Sequence, residues 1–213
     1  MPGAANENQW RDSSARMEAE GYQWRNAGHG PRRTLTTAPD ARAPGGFFFQ
    51  RNGGLTVLRR VDLYQGDRMV RFSVRERWGR PMRDEDHLNS PWWMTEDRFF
   101  LLLDRARTAG VGLVEMARRQ LALPADWTDA DVMVSARPRA GITLAAHAGP
   151  GRTAESGAER RIIAPEAKML WMEQLYVPGL GRHPWLFAPP ANAATAWLEF
   201  ERVFDPNARG FNP

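Results

Sequence analysis

Hydrophobic and polar residues alternate most regularly between residues 54 and 78. Aliphatic residues occupy alternate positions up to Leu63, and after a short polar turn Val70, Phe72 and Val74 alternate with polar residues. A period of two predicts strands with one inward face. Two such runs joined by a four-residue loop predict an antiparallel hairpin. In the register of this hairpin, Leu63 lies opposite Val70 and one face is aliphatic.

A second hairpin is predicted between residues 132–136 and 142–146, where apolar and small residues flank an Arg-Pro-Arg-Ala-Gly turn. Apolar residues at three- and four-residue spacing predict helices elsewhere. Residues 79–94 are expected to form a loop. The predicted helices cover residues 95–110, about 112–121, a segment from Pro165 to Pro178, and about 191–204.

Two hairpins with helices between and after them predict an α+β fold, namely a small antiparallel sheet built from two hairpins and packed against several helices. Residues 47–213 are expected to form this single domain. Residues 1–46 have few aliphatic side chains and are rich in Gly, Ala, Asn, Pro and Arg. They predict a flexible, disordered N-terminal arm, because they bury too little apolar surface to offset ordering entropy. A short helix over about residues 8–20 is compatible with the pattern.

Composition excludes several classes of function. The chain has no cysteine, which excludes disulfides, cysteine-ligated zinc, iron–sulfur clusters and thiol catalysis. No apolar run approaches the roughly 18–20 residues of a membrane span, so no membrane partner is predicted. The absence of a secretory pattern at Met1 predicts a cytoplasmic protein. No cofactor is predicted.

The polar face of the first predicted hairpin is a candidate binding surface. Residues 1–80 contain 14 arginines and 8 acidic residues, so an anionic partner is expected to meet this part of the chain. Guanidinium groups on an open sheet face suit a phosphate backbone, and an aromatic ring among them suits base stacking. The alternative is a solvated face whose charge is partly paired by Asp62. We call the predicted surface the basic face; it consists of Arg60, Tyr64, Arg71, Arg75 and Arg77.

The arm contains two similar tetrads, Gln-Trp-Arg-Asp around Trp10 and Gln-Trp-Arg-Asn around Trp24. Large aromatic side chains often anchor interfaces, so both tryptophans are candidates for docking on a partner or on the body of the domain. The alternative is a chance match in an arginine-rich chain.

Residues 84–87 bring together Asp84, Asp86 and His87. Carboxylates and an imidazole can bind a divalent metal or transfer protons. Neighbouring residues seldom all point at one ion, so an exposed charged turn is the alternative.

The sequence therefore predicts a non-catalytic binding or accessory protein that acts through the basic face and the aromatic arm on a nucleic-acid or protein partner. Two other hypotheses stay open. One is a small metal-dependent hydrolase centred on residues 84–87. The other is a structural subunit of a larger assembly, with residues 1–46 lying over its neighbours.

Overall fold

The computed structural model describes residues 3–19, 34–35, 49–50, 57–121, 123, 128–151, 154–155, 162–163, 172–181 and 192–208. The helices are α1 (Glu7–Ala19), α2 (Asp84–Leu88), α3 (Glu96–Ala109), α4 (Leu113–Leu121) and α5 (Ala193–Trp197). The main strands are β3 (Arg59–Leu63), β4 (Met69–Ser73), β7 (Trp92–Thr95), β8 (Val132–Pro138), β9 (Leu144–Pro150), β12 (Glu173–Tyr176) and β13 (Leu198–Phe204). The two-residue strands are β1 (Thr34–Leu35), β2 (Phe49–Gln50), β5 (Glu76–Arg77), β6 (Arg80–Pro81), β10 (Ala154–Glu155) and β11 (Ile162–Ile163).

One antiparallel sheet of seven strands organises the described part of the chain. Its strand order is β13-β8-β4-β7-β12-β9-β3. The sheet curls into two layers that meet at β7, because β7 pairs with β4 on one side and with β12 on the other. The short strands form three further two-stranded pairs, one of which joins β5 and β6.

The predicted small sheet of two hairpins is wrong. β3 pairs with β9 and not with β4, and β8 pairs with β4 and β13 and not with β9. In each case a tight turn carries the chain from one layer of the curled sheet to the other. Leu63 and Met69, at the two ends of the first turn, face each other in the core between the layers. Alternation predicts the strands but not their partners, since it records which side chains are buried and not what lies beside the backbone.

Three of the main strands, β7, β12 and β13, were not predicted, and the last two replace predicted helices. Residues 173–176 form β12, and residues 198–204 form β13 after the short helix α5. Trp197, Phe200 and Phe204 match helical spacing, but Leu198 and Phe200 also alternate with Glu199 and a second glutamate. The segment forms a strand because its backbone groups can hydrogen-bond to the free edge of β8. The helices predicted at 95–110 and 112–121 are confirmed as α3 and α4.

The buried side chains form two cores, one on each face of β4. Between the sheet layers lie Leu63, Met69, Trp93, Val134, Ala136, Leu144, Ala146 and Leu175. Against α3 and α4 lie Val70, Phe72, Met94, Phe99, Leu102, Met116 and Met133. Because both faces of β4 are covered, Ser73 is buried and Arg71 is only partly exposed, both on the same side of the strand as Met69.

Helix α1 packs on the outer face of β9 and is joined to it by Asn6. The Asn6 amide donates to the carbonyl oxygens of Ala145 and Pro178, both at 2.8 Å, and its Oδ1 accepts from the Ala145 amide at 2.7 Å. Asn6 has no exposed surface. Residues 3–19 of the predicted arm are therefore packed on the sheet, whereas the domain boundary predicted at residue 46 lies outside the described residues.

We expect Asn6→Ala to lower the free energy of unfolding by roughly 2–4 kcal/mol, because it leaves one buried amide and two carbonyls without their partner. The measurement is urea unfolding followed by tryptophan fluorescence. The matched control is Arg11→Ala, which removes only an exposed ion pair with Glu7 and should cost less than about 0.5 kcal/mol. Equal effects of the two changes would show that α1 contributes little to the fold.

Candidate functional site

The two layers of the sheet separate beside β7 and leave an opening there. β4 and β7 pair only at Met69–Thr95 and Val70–Met94. Beyond that point β4 continues along β8 as far as Ser73, while β7 follows β12 through Trp93. Residues 71–73 of β4 and residues 92–93 of β7 therefore diverge. Side chains from both cores reach the gap between them.

A cavity of about 290 Å³ lies in this gap. Its wall is mostly apolar and aromatic, formed by Phe72, Trp92, Trp93, Met94, Leu121 and Leu123. A few polar groups interrupt this wall, namely Arg71, Ser73, Arg77, Ser90 and Gln174. A concave apolar pocket with a small number of convergent polar groups is the usual form of a small-molecule site.

Arg71 is one of two arginines that line the cavity. Its Nη1 donates to the His87 carbonyl oxygen at 2.5 Å, and its guanidinium carbon lies 5.7 Å from the centre of the Trp93 ring. Its Nε is buried without a hydrogen-bond partner. Among the described residues no carboxylate pairs with it, unlike the arginines at positions 60, 68 and 75.

Burial, followed by the nearby charge of Arg77, lowers the pKa of Arg71 from an ordinary 12.5 to about 10. The folded protein thus holds a guanidinium in an environment that disfavours its charge. Such a group is destabilising unless an anion compensates it. The cavity therefore has the electrostatics of an anion site.

Ser73, which lines the cavity, forms a polar pair with His87. The Ser73 Oγ and His87 Nδ1 lie 3.0 Å apart. Burial, followed by the charge of Arg71, lowers the pKa of His87, although Asp84, Asp86 and Asp131 act in the opposite direction. A neutral imidazole does not add a second positive charge beside Arg71.

The predicted metal ligands do not converge in this structure. His87 turns its ring to Ser73, and Asp86 accepts from the Arg83 side chain at 3.2 Å. Throughout the described ranges, no group of three or more His, Asp or Glu side chains is placed to hold a metal ion.

The five residues of the basic face are separated. Arg60 lies on β3 and bonds Glu7 at 2.8 Å, which together with Asp62 raises its pKa. Arg75 bonds Asp205 at 3.0 Å and lies on the opposite layer. Arg71 lines the cavity, Tyr64 is half-exposed in the turn after β3, and Arg77 lies on β5. Arg60 and Tyr64 lie apart from Arg71 and Arg77, because β3 and β4 are four positions apart in the sheet, whereas Arg71 and Arg77 both line the cavity.

Trp10 holds α1 on the sheet. Its ring stacks on that of His147 at 5.3 Å, and the guanidinium of Arg60 lies 4.5 Å from its centre. The Ser13 Oγ and His147 Nε2 are 2.8 Å apart beside it. The structure thus shows Trp10 docked on the body of the domain. Trp24 lies outside the described residues.

Sequence reasoning missed most of the cavity wall, notably Trp92, Trp93 and Gln174. The Trp-Trp dipeptide was a usable signal, since adjacent residues on a strand face opposite sides. Trp93 does face the core between the layers, while Trp92 packs edge-on against Tyr176 at 5.0 Å. Gln174 lay in a predicted helix, so its place beside Leu121 could not be anticipated.

Comparison with known proteins gives no relative. No family model matches the chain, and neither the curated proteins nor the solved structures include a match. None of the helices in the described ranges combines the length and the apolar character that a membrane span requires.

We expect Arg71→Met to raise the free energy of unfolding in the absence of ligand by roughly 1–2 kcal/mol. Methionine fills a similar volume without a buried charge, and this gain exceeds the loss of one hydrogen bond to His87. Urea unfolding of both proteins at the same pH measures the difference. A loss of stability would instead assign Arg71 a structural role. Arg107→Met, at an exposed position of α3, is the control and should change stability little.

We expect stability to fall between about pH 6.5 and pH 4 through His147. Burial, followed by the charge of Arg60, lowers its pKa to about 4 from an ordinary 6.5. The unfolded chain therefore binds a proton that the folded protein rejects, so the contribution is complete above pH 6.5 and is lost as the pH falls to 4. The loss is about 3 kcal/mol at pH 4. Urea unfolding across this range should show a shallower pH dependence for His147→Gln, and an unchanged dependence would contradict the assignment.

Proposed function

We propose that this protein binds a small organic carboxylate in the cavity between β4 and β7. The observation that carries the proposal is the guanidinium of Arg71, which lines the cavity without an acidic partner among the described residues. A carboxylate that enters the cavity supplies the missing negative charge.

The geometry of Arg71 favours a carboxylate over a compact ion. Its Nη1 is engaged by His87, and its Nε has no partner but is closed off from solvent in the empty protein. We expect a carboxylate to engage the remaining amino group and, after a small shift of the side chain, Nε as well. These two donors lie on one edge of the planar guanidinium and match the two oxygens of a carboxylate. Arg77 lies at the same cavity and adds to the positive potential.

The rest of the wall favours a ligand with an apolar body. Trp92, Trp93 and Phe72 offer ring surfaces, and Leu121 and Leu123 close the side towards α4. Burying apolar atoms here is worth about 25 cal/mol for each Å² removed from water. At about 290 Å³ the cavity lies at the small end of the range for ligand sites, so the ligand is a small molecule and not a polymer.

A role in binding also explains why the fold tolerates Arg71. The charge lowers the stability of the empty protein and is compensated only when an anion is present. Functional sites commonly retain such destabilising groups. The cytoplasmic location predicted from the sequence remains a prediction.

The proposal is tested with a series of straight-chain carboxylates of increasing length, each beside its neutral primary amide, by calorimetry and tryptophan fluorescence. We expect each added methylene to strengthen binding about fourfold until the cavity is full. The amides should bind about 10- to 100-fold more weakly, because they lack the charge that Arg71 pairs.

Arg71→Met should abolish the preference for the carboxylate over its amide, whereas Arg107→Met should keep it. Equal binding of acids and amides by the unaltered protein would contradict a site organised by Arg71. The proposal would also be contradicted if Arg71→Met bound carboxylates with unchanged affinity, or if no carboxylate of the series bound at all.

A further inference from the structure

A small hairpin projects an exposed tryptophan between two arginines. β5 and β6 pair at Glu76–Pro81 and Arg77–Arg80, and the turn between them consists of Trp78 and Gly79. Trp78 is 93% exposed. We call residues 76–81 the Trp78 finger.

The backbone of the turn does not suit a tryptophan. Trp78 has a φ of 54° and Gly79 a φ of 71°, and positive values at both central residues are the pattern of a type I′ turn. Asn-Gly is the sequence that such turns favour, whereas a bulky side chain in the left-handed region costs about 1 kcal/mol or more. The fold alone therefore gives no reason for Trp78, because its side chain is also almost fully exposed.

The charges of the finger are also unfavourable for the stability of the fold. Arg77 and Arg80 lie directly opposite each other across the strands, and like charges in such pairs repel. In the part of the chain that the structure describes, neither arginine forms an ion pair, whereas neighbouring Arg83 bonds Glu85 and Asp86. The guanidinium of Arg77 lies 5.7 Å from the centre of the Trp78 ring.

We infer that the Trp78 finger binds single-stranded nucleic acid, with a base stacked on Trp78 and phosphates held by Arg77 and Arg80. An exposed ring stacks on any base, and adjacent guanidinium groups lose their mutual repulsion when a phosphate lies between them. A duplex keeps its bases stacked on each other, so the exposed ring favours single strands.

The inference does not depend on the carboxylate site. Arg71→Met should leave oligonucleotide binding unchanged, and Trp78→Ala should leave carboxylate binding unchanged. Failure of one site is thereby distinguishable from failure of the other. Arg77 is not substituted in the test, because it lines the cavity and also belongs to the finger.

The test is fluorescence anisotropy of a short labelled oligothymidylate, titrated with the full chain at several salt concentrations. We expect Trp78→Ala to weaken binding about tenfold or more, because the variant loses the stacking of one base. Arg80→Ala should reduce the slope of log affinity against log salt by about 0.7, one phosphate contact to a single strand.

The controls are Tyr64→Ala, a half-exposed aromatic in a different turn, and Arg107→Ala on α3, both expected to bind as the unaltered protein does. Three results would overturn the inference: no binding at low salt, unchanged binding by Trp78→Ala, or equal binding of duplex and single strand. Vesicles rich in phosphatidylserine are a further probe. If the protein binds those vesicles but not the oligonucleotide, and Trp78→Ala loses the vesicle binding, the finger binds an anionic membrane surface. That result would refute the nucleic-acid inference.

Discussion

The structure depends on the burial of both faces of β4. One face packs under α3 and α4 through Val70 and Phe72, and the other faces the second layer of the sheet. A strand in this position has no solvent-facing side, so every polar side chain on it must be satisfied inside the protein. Ser73 meets this requirement through His87, but Arg71 meets it only in part.

The gap between β4 and β7 follows from the same arrangement. β7 must pair with both layers, and it does so with β4 over two residue pairs before it follows β12. The divergence leaves space that the neighbouring apolar side chains do not fill. The partly exposed arginine and the cavity are thus two results of one topological feature, which is why they occur together at the proposed ligand site.

The two proposed sites use arginine in different ways. In the cavity a single guanidinium is desolvated, so that a direct ionic hydrogen bond is strong and selective. On the Trp78 finger the guanidinium groups are exposed, so that binding is weaker for each contact and sensitive to salt. Other arginines in the described part of the chain, such as Arg60 and Arg68, are paired with glutamates and stabilise contacts between elements.

The sequence alone determined the local features. Alternation located β3, β4, β8 and the start of β9, helical spacing with Gly110 located α3, and the same reasoning located α4. It also identified residues 8–20 as compatible with a helix, which the structure shows as α1. These features depend on neighbours in the chain, which a sequence displays directly.

Only the tertiary structure decided which strands pair, which faces are buried, and where the basic residues lie. Strand pairing depends on backbone groups that are identical in every residue, so no pattern of side chains specifies that β3 meets β9 across the sheet. Alternation placed Arg71 on the polar face of β4, but a second layer covers that face. The same guanidinium that the sequence assigns to solvent therefore lines the cavity.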